Sequence, residues 1–272
     1  MEKVKSTDRG GRKHPPLVSV REEMNYNNLS PAELTRYSLQ IALEKWGQEA
    51  QEKVKSSRVL MAGAGGLASV VAMHLLATGV GYLRLVDHSR ISLSDLNTSI
   101  LYRERDLGKI KAAIAERRLK EVNPFGLVEG HSKVLSEHNI SRLASGCQVL
   151  IDAMTGSKSG YVLNQAAVKS RVPLVHGRVW GMEGVLTTFW PGQGPCLACA
   201  YPGGLAEKQP GLMGPLPGII GALLALEVLR VLGGLGPALV GRILIFRGDA
   251  FLFREEPLKA NPFCPVCRHL IN

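Results

Sequence analysis

The chain has 272 residues, 45% of them hydrophobic and 6% aromatic, with a net charge of +10 and a pI near 9.5. That length suits one large domain with a sizeable core, and the positive charge favours anionic partners such as nucleotides or acidic proteins. Sparse aromatics without a basic stripe exclude a base-stacking nucleic-acid platform, and the lack of any run of about eighteen apolar residues excludes a membrane span.

The first stretch, "MEKVKSTDRGGRKHPP", is polar, basic and turn-rich, with no apolar segment of the kind a secretory signal needs. Residues 1–29 are therefore expected to form a disordered basic tail and residues 30–272 a nucleotide-binding domain, in a cytosolic protein. Ser30 and Pro31 place an N-cap and a first-turn proline, with Glu33 at the third helical position, so one or two helices should follow. "RVLMAGAG" is a short apolar run entering a tight turn, "LASVVAMHLLATGVG" a helix ending at Gly79, and "YLRLVD" a second strand ending in Asp87. "GKIKAAIAERRLKEVNP" is a helix stopped at Asn123-Pro124. "CQVLIDAM", "YVLNQAAVKSR" and "VPLVHGRV" continue as strand, helix and strand. Alternating strands and helices predict an α/β, Rossmann-like, doubly wound and mainly parallel sheet. "GVLTTFW" and "GRILIFRGD" extend it as an antiparallel C-terminal part. "GIIGALLALEVLRVLGGLG" carries Glu227 and Arg230, so it reads as a buried amphipathic helix.

Two motifs carry chemistry. "GAGGLA" fits G-x-G-x-x-A: Gly63 permits the turn, Gly65 lets backbone approach phosphate, and Ala68 lets the helix pack close to the strand. An anion then sits on the helix N-terminus, and Asp87 stands where an acid grips ribose hydroxyls. The loop by itself does not separate NAD from ATP. Cys196-x-x-Cys199 and Cys264-x-x-Cys267 supply four thiolates, a closed tetrahedral set expected to hold a structural zinc that staples the C-terminus to an earlier loop. Cys147, at a strand start, reads as a buried small hydrophobe. His74, His176 and Arg178 read as packing or surface residues, since nothing pairs them with a nucleophile.

Further pieces occur in order: "RYSLQ", "ISLSDLN", "DLGKIK", "PLVHGRVWGMEG", "PGQGPCLAC", "GPLPGIIGALLALE" and the terminal "CPVC". With the glycine loop they resemble the ThiF/MoeB/HesA family, bacterial relatives of ubiquitin-activating enzymes, over roughly residues 29–267. The resemblance implies ATP with magnesium rather than NAD, and transfer of AMP to the C-terminal glycine carboxylate of a ubiquitin-like or sulfur-carrier partner. It also implies a dimer, of identical chains or with a paralogue, while composition and hydropathy already leave no role for nucleic acid or membrane. By this resemblance Gly63, Gly65, Gly66, Asp87, Ser94 and Lys111 hold the nucleotide, with Lys111 the phosphate lysine and Asp152 a retained acid. Other positions depart from the family. Leu39 and Thr98 replace arginines, Thr155 replaces the magnesium acid, Glu207 stands where some members carry a cysteine, and Asp95 replaces an asparagine. A trans-acting arginine is worth about 10³–10⁵ in rate and one preorganised charge-stabilising group about 10²–10³. These departures point to a catalytically degenerate member or non-catalytic subunit that binds nucleotide and partner. The alternative is an active adenylyltransferase with substitute residues, Arg103 and Arg105 among the candidates.

Overall fold

Helix α1 (Pro31–Arg36) begins at the Ser30-Pro31 signal. The Glu33 N–H donates to Ser30 Oγ at 3.3 Å and the Ser30 N–H donates to Glu33 Oε2 at 2.9 Å, a reciprocal cap. A computed structural model describes residues 28–154, 157–205 and 211–270, without the Ser157 side chain. The expected tail therefore lies almost wholly outside the described residues, as do Thr155 and Glu207. The opening helical segment divides into three pieces rather than one or two: α1, α2 (Ser38–Ile41) and α3 (Gly47–Ser56), the last restarted at Gly47 with a φ of +63°.

The elements that follow are β1 (Arg58–Ala62), α4 (Gly66–Ala77), β2 (Tyr82–Val86), α5 (Lys111–Lys120) and β3 (Leu127–His131). Then come α6 (Glu137–Ala144), β4 (Val149–Asp152), α7 (Ser157–Ser170), β5 (Leu174–Trp180), β6 (Glu183–Phe189) and α8 (Leu197–Ala200). Last are α9 (Leu216–Leu232), β7 (Arg242–Arg247) and β8 (Leu252–Pro257). They build one eight-stranded sheet in the order β3-β2-β1-β4-β5-β6-β7-β8. Pairings from β3 through β5 are parallel and those from β5 to β8 antiparallel, the expected doubly wound sheet with an antiparallel extension.

The central strands of the sheet are buried on both faces. Alternate side chains of β1, Val59 and Met61, join the core beneath α4 and α9, while Leu60 and Ala62 join the core beneath α6 and α7. This two-sided burial explains the unbroken apolar runs of the central strands. Helix α9 packs along α4, β5 and β6 as a core helix, and no helix among the described residues is long and apolar enough to cross a membrane. Its buried Glu227 accepts from the Ala238 and Leu239 N–H groups, both at 2.9 Å, and from Thr188 Oγ1 at 2.7 Å. That carboxylate thus fixes the turn after α9 to β6, which accounts for an acid in an otherwise apolar helix.

Candidate functional site

The strand order reverses between β1 and β4, whose neighbours lead outward in opposite directions. Open α/β sheets bind ligands in the crevice beyond the strand C-termini at such a point. Here that crevice is a cavity of about 440 Å³, within the range of small-molecule sites.

The glycine loop forms its floor. Gly63 has a φ of +109°, and a Cβ there would lie 2.8 Å from the Ala153 carbonyl oxygen, so glycine is required by both backbone and space. Gly65 caps α4, and a Cβ on it would meet nothing within 4 Å, which leaves its backbone open to an approaching group. Gly66 abuts Thr98, whose Cβ and carbonyl oxygen would each be 2.9 Å from an added Cβ. The loop is braced from behind. The Ala64 N–H donates to Asp87 Oδ2 at 2.9 Å, and the hydroxyl of buried Tyr102 donates to the Ala64 carbonyl. Burial, reinforced by the charges of Asp87, Asp95 and Asp106, pushes the Tyr102 phenol far above its ordinary value, so it remains a donor.

Asp87 directly follows β2, buried, and lines the cavity. Its Oδ1 accepts from the Ser89 N–H at 2.8 Å and the Ser89 hydroxyl at 2.6 Å. Lys111, the first residue of α5, reaches the same cavity from beside β2, but its Nζ sits 2.6 Å from Asp95 Oδ1. The other Asp95 oxygen accepts from the Ser92 N–H and hydroxyl at 2.8 and 2.7 Å. Burial alone would raise the Asp95 carboxyl, but Lys111 and Ser92 outweigh it and hold the group below its ordinary value. As they stand, these engaged carboxylates do not fit a protein-built magnesium site, and among the described residues the one cluster suited to a metal is the cysteine set.

The structure gathers Gly63, Gly65, Gly66, Asp87 and Lys111 around one cavity and leaves two expected residues outside its lining. Ser94 is exposed, its hydroxyl 2.9 Å from that of Ser92. Asp152 lies buried behind the wall, 2.9 Å from Nδ1 of His176 on the neighbouring strand. His176 is thus not simply packing: it is fully buried, within hydrogen-bond distance of the Asp152 carboxylate and flanked by the rings of Phe189 and Tyr201. Nor is Arg178 a surface residue, for it is 8% exposed and lines the cavity. Leu39 is 88% exposed on α2, and Arg103 and Arg105 are exposed outside the lining. Motif reading missed Tyr102, Ser89 and Arg178. Ser89, two residues after Asp87, was the nearest to legible.

The second centre lies across α7. The sulfurs of Cys196 and Cys199, Cys196 and Cys264, and Cys199 and Cys267 are 3.9, 3.7 and 3.5 Å apart, and all four lie within 4.8 Å of one another. Zn–S bonds of about 2.3 Å in a tetrahedron put sulfurs about 3.8 Å apart, so the four residues fit zinc. Asn164 of α7 holds one knuckle, donating to Cys196 Sγ at 3.6 Å and accepting from the Leu197 N–H at 3.0 Å. The Asn261 N–H donates to Cys199 Sγ at 3.4 Å. Such donors stabilise thiolate ligands. Cys147, buried elsewhere, has its thiol pushed up by burial, as expected of an inert core residue.

Known proteins share this architecture. The model of the ThiF family matches residues 37–266. The chain is 37% identical over 249 residues to the adenylyltransferase and sulfurtransferase MOCS3 of Drosophila persimilis, covering 88% of this chain and 54% of that protein. It is 35% identical over 246 residues to the sulfur carrier protein adenylyltransferase of Thermus thermophilus, covering 86% of this chain and 91% of that protein. The chain thus spans about half the length of the MOCS3 relatives. A crystal structure of E. coli MccB with ATP superimposes with a TM-score of 0.75 at 20% identity, over 89% of this chain and 75% of that one, a likeness of fold.

Proposed function

We propose a function from the premise that the chain belongs to the ThiF family: it binds ATP in the switch-point cavity and adenylates the C-terminal carboxylate of a small sulfur-carrier or ubiquitin-like protein. The carrying observation is the cavity itself, where an open glycine loop at a helix N-terminus, a braced Asp87 and Lys111 converge at the one place this topology offers. The names of the relatives support the choice of reaction and of partner.

In this reading the ribose lies at Asp87 and the phosphates lie over Gly65 and Gly66, where free N–H groups and the helix dipole favour negative charge. A carboxylate oxygen of the carrier attacks the α-phosphorus, the bond to the bridging oxygen of the β-phosphate breaks, and pyrophosphate leaves with that electron pair. Catalysis of this kind rests on positioning and charge neutralisation. Lys111 supplies charge on the β2 side once it exchanges Asp95 for phosphate. The four cysteines would hold a zinc that serves as a structural staple, and with four sulfurs it has no open position for catalysis. A second chain, a copy or a paralogue, belongs to the proposal as a partner.

A second reading, nucleotide holding without transfer, draws support from Leu39 and Thr98 standing where the resemblance implies arginines. ATP–pyrophosphate exchange with the candidate carrier separates the two. Carrier-dependent exchange that Lys111→Ala abolishes supports the enzyme, whereas tight ATP binding without exchange supports the non-catalytic reading.

A further inference from the structure

The cavity has two ends. Asp87, Ser89, Asp95 and Lys111 stand on the β2 side of the glycine loop, while Ala153, Met154, Arg178, Val179 and Leu212 stand on the β4–β5 side. A nucleotide gripped at Asp87, with its phosphates on the loop, leaves the second end for the other reactant. Among the described residues, the permanently charged side chain lining that end is Arg178, only 8% exposed and beside Ala153, Met154, Val179 and Leu212. Burial holds the side chain in that wall, and its guanidinium carries five N–H donors. Its planar fork matches a carboxylate in two parallel hydrogen bonds, which an ammonium does not.

We propose that Arg178 is the residue that receives the carboxylate of the acyl substrate, holding it beside the α-phosphate for attack. The assignment rests on the adenylation reading for its substrate. It gives the cavity one cation for each reacting anion: Lys111 for phosphate, Arg178 for carboxylate. It also supplies, from inside the same chain, positive charge that Leu39 and Thr98 do not.

The test uses the full chain saturated with a non-cleavable ATP analogue. Two probes are titrated by calorimetry: a peptide ending in a free glycine carboxylate and the same peptide as its C-terminal amide. The wild type should prefer the carboxylate by about 30-fold or more, the scale expected when a desolvated charge pair is made or lost. Arg178→Ala should erase that preference while changing affinity for the ATP analogue less than about 3-fold. Arg178→Lys, which keeps charge and packing if the alanine variant melts early, should retain only part of the preference. Added guanidinium should restore carboxylate binding to Arg178→Ala, which a purely structural role would not allow. The assignment is overturned if the wild type shows no preference, if the preference survives Arg178→Ala, or if the ATP analogue loses as much affinity as the carboxylate. A wild type with the carboxylate preference but no pyrophosphate exchange refutes the adenylation reading and leaves Arg178 assigned. Exchange that survives Arg178→Ala with an unchanged KM for the carrier does the reverse.

Discussion

Replacing Asp95 by asparagine should make this chain bind ATP more tightly. Lys111 Nζ and Asp95 Oδ1 are 2.6 Å apart, with side chains 12% and 18% exposed, so the pair is largely withdrawn from water. Opposite charges at about 4 Å attract by about 4 kcal/mol at an effective dielectric of 20, and hydrogen bonds to charged groups contribute about 1.5–3 kcal/mol net. Any phosphate that engages Lys111 must first give up that much. Asp95→Asn removes the charge but keeps a side-chain oxygen for the Ser92 N–H, which holds the turn at 2.8 Å. ATP should therefore bind about 10–100-fold more tightly, with the gain shrinking as salt rises. Calorimetric titration of both proteins at two ionic strengths measures this. An affinity that is unchanged or weaker in Asp95→Asn would refute the view that the pair competes with phosphate.

Metal analysis should find about one zinc per chain, and Cys264→Ser should abolish it. At free zinc a thousandfold above its Kd the metal adds about 4 kcal/mol, so chelation should lower the melting temperature on the order of 10 °C; an unmoved melt with the metal stripped would contradict the staple. Gly63→Ala combines a φ of +109° with a 2.8 Å approach to the Ala153 oxygen, and should cost about 1–3 kcal/mol in urea unfolding. Glu33 accepts from Lys55 Nζ at 2.7 Å. Burial alone would raise its carboxyl, but Lys55 and Ser30 hold it below the ordinary value. A depressed native pKa gives stability that is present above the unfolded value of about 4.3 and lost as pH falls through the native one. The gap between wild type and Glu33→Gln should thus be about 1–3 kcal/mol at pH 7 and narrow as pH falls from about 4.3 through the depressed native value. A gap that does not narrow as pH falls below about 4.3 would show that the carboxylate charge is not its source.

What the sequence made legible follows from where local signals coincide with tertiary need. The segment from β1 through β2 was readable because buried apolar runs flank a loop whose glycines are sterically required. The four cysteines were readable because ligand chemistry fixes spacing. Strand β3 escaped notice: it is a five-residue sheet edge, mostly not buried, with Gly130 in it because a Cβ would come 2.4 Å from the Ala112 carbonyl. Strand β8 is exposed at every residue, so its place comes from backbone pairing with β7 and leaves no hydrophobic pattern. The short helix α6 also went unread, though its capping box at Ser136 and Asn139 was a local signal. At the site, Arg178 was misjudged because "VHGRVW" occupies a strand whose faces serve different surroundings, and only register brings His176 opposite Asp152. Tyr102 lay outside every motif, since its partner is a backbone carbonyl that composition does not reveal.

The described parts of the crossover between α8 and α9 are tied down at both ends. Cys199 anchors its start within the sulfur cluster, and near its end the Gly181 N–H donates to the Gly211 carbonyl at 2.6 Å while the Met213 N–H donates back to the Gly181 carbonyl at 2.9 Å. Leu212, between those bonds, is part of the cavity wall. Tyr201 and Leu205 are held as well, by the Tyr161 hydroxyl and by burial in the core beneath α7, so the cysteine centre and the cavity wall lie at the two ends of one connection. Loosening the cysteine end would enlarge the set of paths open to the chain, and Leu212, in the cavity wall, would feel it. A metal held by the four cysteines would in this way bear on a cavity wall that it does not touch.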